Sequence, residues 1–106
     1  MTTDRHDESR VYVVVCGADA LVAVTGEIDL SNEDLLAAAL DEAIAADVDT
    51  VVELADMRFI GLGGLRMIAA AAAELAHRGR RLRVTNARPM VAKMFRLVHE
   101  DHLLAA

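Results

Sequence analysis

The chain has 106 residues, 55% apolar and 26% charged, with a net charge of −6. That length leaves room for one core and not two, and the apolar fraction is too high for general disorder. Cys16 is the only cysteine, which excludes an internal disulfide, and no apolar run reaches the roughly 20 residues that a membrane span needs.

Residues 1–9 read as a flexible polar tail without the apolar stretch of a signal peptide, so the expected location is cytoplasmic and the domain proper is expected over 10–106. Val11–Cys16 and Leu21–Thr25 are β-rich runs separated by turn residues and should form an antiparallel pair. Cys16, at the end of the first run, is expected to be a buried small apolar residue. Ser31 and Asn32 precede Glu33 and Asp34, a cap followed by first-turn acids, and Leu36, Leu40, Ala43 and Ile44 then repeat on one helical face. Thr50–Leu54 is a short apolar strand. Gly63 and Gly64 open a second helix that ends at Gly79, with Leu65, Ile68, Ala69, Ala72 and Leu75 as its buried stripe. Its outer face carries Met67, Ala70, Ala71 and Glu74, which is more apolar than solvent requires. Arg81–Thr85 reads as a strand, and Pro89 stands at the first position of a third helix carrying Val91, Met94, Phe95 and Val98. The order β-β-α-β-α-β-α predicts an α/β class, a mixed sheet with helices packed against it.

Charge is unevenly placed, with fourteen acids and three bases in residues 1–60 against three acids and eight bases in 61–106. An electrically polar molecule follows, suited to steering an oppositely charged protein. Nucleic acid is excluded as the expected partner, because the chain is acidic and no aromatics interleave with Arg78, Arg80, Arg81 and Arg83. Glu27 and Asp29 have no neighbouring histidine or nucleophile in sequence, so they do not form a general acid/base pair. His99 and His102, with one distant cysteine, fall short of a zinc set. Neither enzyme activity nor a cofactor is expected.

Gly26-Glu27-Ile28-Asp29, then a capped helix, then Phe59-Ile-Gly-Leu-Gly-Gly-Leu65 resemble two motifs of the STAS domain family, in the same order and spacing over about residues 10–104. The resemblance implies an antagonist of an anti-sigma factor, with an anti-sigma factor of the GHKL kinase type as its protein partner and a role in sigma-factor and transcription regulation. In phosphorylated members the second serine of the latter turn is the acceptor. Here that position is Gly63, preceded by Leu62, and Gly61 replaces an acidic residue, so binding is expected to be ungated by phosphorylation. Glycine still serves as a helix cap at a cost of about a few tenths of a kcal/mol.

The expected partner surface comprises Glu27, Asp29, Gly61, Leu62, Gly63, Gly64, Arg66, Met67 and Ala70, with Leu62 either tucked into the core or offered as an anchor. Two alternatives stand beside it. One is a structural STAS subunit of a larger assembly, whether homodimer, signalling complex or lipid-transporter component. The other is a nucleotide or anion sensor using the glycine-rich turn. No membrane insertion is expected.

Overall fold

Strands β1 (Arg10–Cys16) and β2 (Asp19–Ile28) form an antiparallel hairpin around Gly17 and Ala18. Along β2 alternate residues are buried, with Ala20, Val22, Val24 and Ile28 on the core side, as period-two patterning requires. The structure is a computed structural model and describes residues 9–105. Most of the expected tail, residues 1–8, lies outside the described residues. Ser9 is buried, and its hydroxyl accepts a hydrogen bond from the Glu27 N–H at 3.2 Å, so this last residue of the expected tail packs with the domain.

Strand β3 (Asp49–Glu53) lies parallel to β2, and β5 (Leu82–Thr85) lies parallel to β3, giving the order β1-β2-β3-β5. Strand β4 (Met57–Ile60) pairs in parallel with the far end of β2 and has no counterpart in the sequence reading. It has four residues, and its buried-exposed-exposed-buried pattern lacks strand alternation, so Phe59 and Ile60 read as part of the turn that follows. The mixed α/β architecture is as expected, with one strand more.

Helices α1 (Glu33–Ala46), α2 (Leu62–His77) and α3 (Pro89–Leu97) carry the expected stripes. Leu36, Leu40 and Ala43 of α1, Leu65, Ile68 and Leu75 of α2, and Val91 and Phe95 of α3 are buried. A full burial such as that of Phe95 contributes about 1.5–3 kcal/mol. Ala71 corrects the reading of the outer face of α2: it is 4% exposed, because α1 packs alongside that face. After a single 3₁₀ turn at Asp101–Leu103, the Ala105 N–H donates to the Val84 carbonyl at 2.8 Å and covers part of the β5 edge.

The sheet face opposite the core carries exposed apolar side chains at the β1–β2 hairpin. Tyr12, Val14 and Leu21 are exposed there. Cys16 shares their alternation and is exposed too, contrary to its expected burial.

Candidate functional site

The turn leaving β2 is held from inside. Asn32 is buried, and its side chain accepts from the Asp29 N–H at 2.9 Å and donates to the Glu27 carbonyl at 2.9 Å. Asn32 precedes α1 as the expected cap residue, yet its side chain braces the turn and makes no capping hydrogen bond. Asp29 accepts instead from the Ser31 N–H at 2.9 Å and the Ser31 hydroxyl at 2.5 Å. Gly26 has φ 86°, a left-handed conformation that a side chain disfavours, and its N–H donates to the Asp56 carbonyl at 3.0 Å. Glu27 turns toward β4, where its carboxylate stands 3.9 Å from Arg58 Nε.

The turn entering α2 rests on this one, with the Gly61 N–H donating to the Ile28 carbonyl at 2.8 Å. The Gly61 carbonyl accepts the first helical bond, from Leu65 at 3.1 Å, which makes Gly61 the N-cap. Gly63 is thus the second helical residue, a correction to its expected place as the cap. Gly64 is buried, and a β-carbon there would come 3.0 Å from side-chain carbons of Ile28 and Ile60, so any larger residue would push those side chains aside by a few tenths of an ångström. Gly63 meets a different neighbour. A β-carbon on it would lie 2.8 Å from Glu33 Cδ and 2.9 Å from Oε1, with Oε2 nearer still. The Glu33 carboxylate of α1 fills the space that a side chain at position 63 needs.

Leu62, the first residue of α2, is 48% exposed and not part of the core. Leu30, next to Asp29 in the braced turn, is 91% exposed. A β-carbon on Gly61 would come 3.9 Å from the Asp29 Cα, which places both leucines beside the junction of the two turns. Arg66 and Ala70 are exposed along α2, and Met67 is half-buried against α1. The structure therefore gathers Asp29, Gly61, Leu62 and Gly63 at one junction, continues along α2 through Arg66, Met67 and Ala70, seats Gly64 beneath, and directs Glu27 away to Arg58.

Leu30 and Glu33 are additions to the sequence-derived set. Leu30 carried a readable signal, an apolar residue between Asp29 and Ser31 in a polar turn, the same argument that singled out Leu62. Glu33 gave only the signal of a first-turn acid, since its contact with Gly63 joins distant parts of the chain.

A second polar cluster lies across the sheet. The Glu53 carboxylate accepts from the Ala55 N–H, the Thr85 hydroxyl and the Asn86 amide, each at 2.9 Å. Burial pushes its carboxyl up, and these hydrogen bonds together outweigh burial and hold it below the ordinary value of 4.5. The arginine cluster is dispersed, with Arg78 pairing to Glu74 at 3.3 Å and Arg80 to Asp47 at 3.5 Å. Among the described residues no group of three histidine, cysteine or acidic side chains could hold a metal ion, and no helix is long and apolar enough to cross a membrane.

The family model described as "Mlab, STAS domain" matches residues 15–105. No curated protein matches the chain. Among solved structures, an anti-sigma factor antagonist from Mycobacterium paratuberculosis is 25% identical with TM-score 0.79, over 92% of this chain and 84% of that one. The anti-sigma factor antagonist SpoIIAA in its unphosphorylated form is 17% identical with TM-score 0.79, over 90% of this chain and 85% of that one. The Bacillus cell fate determinant SpoIIAA in its phosphorylated form is 15% identical with TM-score 0.73, over 90% and 88% respectively.

Proposed function

The chain belongs to the STAS domain family, and from that premise we propose that it is a cytoplasmic, non-enzymatic interaction module that antagonises an anti-sigma factor of the GHKL kinase type. The observation that carries this reading is the exposed Leu62 on the first turn of α2, next to Leu30 on a turn braced by buried Asn32. Two large apolar side chains held outward on a rigid support are what an interface anchor needs, since little freedom remains to be lost on binding. Arg66, Met67 and Ala70 extend the contact along α2.

Binding is ungated at position 63. Gly63 has no hydroxyl, and the Glu33 carboxylate lies over it. The same carboxylate disfavours the anion-sensor alternative, because a phosphate approaching the helix start would meet a like charge in the space it needs.

The test is calorimetric titration of the chain and of Leu62→Asp against the anti-sigma kinase of the same organism, with circular dichroism on both. Leu62→Asp is expected to weaken binding at least about tenfold, as befits a buried anchor, with an unchanged fold. Incubation with kinase and ATP is expected to leave the wild-type affinity unaltered. Equal affinity of the two proteins would overturn the anchor, and stoichiometric phosphate on the chain with release of the partner would overturn the ungated reading.

A further inference from the structure

Helices α1 and α2 run side by side, with Glu33 over Gly63 at one end and Arg78 Nη1 donating to the Ile44 carbonyl at 3.2 Å at the other. Between them lies a groove of about 440 Å³ whose apolar lining is Ala37, Leu40 and Ile44 of α1 with Met67, Ala70 and Ala71 of α2. Three alanines keep it open. Its rims are acidic, Asp41 on α1 and Glu74 on α2. Glu74 pairs with Arg78, whereas among the described residues no cation stands within ion-pair distance of Asp41 or Glu33.

Helix α3 presents the complementary surface. Its inner side is anchored by Val91 and Phe95, and its outer side exposes Met90 at 63% and Leu97 at 69% together with Lys93 and Arg96. Met90 and Leu97 are two helical turns apart, about 10 Å. The span from Ala37 to Ile44 along one wall of the groove, and from Met67 to Glu74 along the other, is the same two turns. The spacing of the apolar pair thus matches the length of the apolar floor, and its cations fall where the rims are acidic.

We propose that the α1–α2 groove receives α3 of a second copy of this chain, with Met90 and Leu97 on its floor and Lys93 and Arg96 against Asp41 and Glu33. The concentration of acid in the first sixty residues and of base in the rest then has a use, since each copy offers both halves of the contact. The contact joins unlike surfaces, so two of them close a dimer or the contact repeats along a chain of copies. It stands apart from the proposed antagonist function, although Met67 and Ala70 are common to both surfaces. Self-association is measured on the pure chain, so its failure leaves the Leu62 anchor to its own test.

Sedimentation velocity from micromolar to millimolar concentration tests the proposal, using wild type, Asp41→Lys, Lys93→Glu and an equimolar mixture of the two variants. Position 41 and position 93 are exposed, and matched circular dichroism spectra establish that each variant folds. Wild type is expected to gain mass with concentration, less so at high salt, where the Debye length shortens. Each single variant is expected to associate at least about tenfold more weakly, the effect of losing close charge pairs. The mixture should regain association, because the exchanged charges at positions 41 and 93 attract again while the other contacts are unchanged. A wild type that is monomeric throughout overturns the proposal, and so does association that both variants retain. Binding in the groove by another protein's helix alone, with no self-association, overturns it as well.

Discussion

Replacing Gly63 by serine sets a side chain against the Glu33 carboxylate. The new β-carbon falls 2.8 Å from Cδ and 2.9 Å from Oε1, whereas ordinary contact begins at 3.4 Å. Backbone on neither side need move, because the obstacle is the far end of a flexible side chain. The carboxylate must swing out, and a strained rotamer costs about 0.5–1.5 kcal/mol. Serine recovers a few tenths of a kcal/mol over glycine in helix propensity. The expected net loss is about 0.5–1 kcal/mol, or roughly 2–8 °C in melting temperature for a domain of this size. In a Glu33→Ala background the same substitution should be neutral or slightly stabilising. Urea unfolding of the two single variants and the double variant closes the cycle, with an expected coupling of at least about 0.5 kcal/mol. An equal loss in both backgrounds would refute the assignment of the obstacle to Glu33.

Asn32→Ala removes a buried side chain that serves the Asp29 N–H and the Glu27 carbonyl, and should cost about 1–3 kcal/mol in urea unfolding; a neutral result would mean that the turn holds itself. Phe95→Ala empties a fully buried site and should cost about 3–5 kcal/mol, read the same way. For Glu53 the folded carboxyl lies below its ordinary value of 4.5, so its stabilisation is present above that value and is lost as the pH falls through the folded value. The stability difference between wild type and Glu53→Gln should therefore be constant near neutrality and shrink in acid, measured by thermal unfolding across pH; a difference independent of pH would contradict the hydrogen-bonded carboxylate.

Long periodic segments were legible in the sequence because their signal is local. The stripes Leu36-Leu40-Ala43 and Leu65-Ile68-Leu75 follow helical spacing, and both cover the core face of the sheet. Strand β4 escaped because four residues without alternation carry no strand period, and its partner, the far end of β2, is some thirty residues away. The exposure of Cys16 follows from strand alternation, which puts it on the same sheet face as exposed Val14, and not from the apolar character of its thiol. In the site, Leu62 and Asp29 were legible from turn chemistry and from the family motifs. Glu33 over Gly63 was not, since it arises only when α1 and α2 start side by side; the bracing by Asn32 is local, but an Asn before a helix signals a cap equally well, and here its side chain serves the Asp29 N–H and the Glu27 carbonyl instead.

Whether the start of α2 is a protein-binding surface is tested most directly by site-specific photo-cross-linking. A photoreactive residue would replace Leu62 in one preparation and Val14, exposed on the β1–β2 hairpin, in another, each mixed with the purified anti-sigma kinase. A one-to-one cross-link is expected from position 62, suppressed by excess unmodified chain, and none from position 14. A cross-link confined to position 14, or none from either position while the complex forms, would contradict binding through the start of α2.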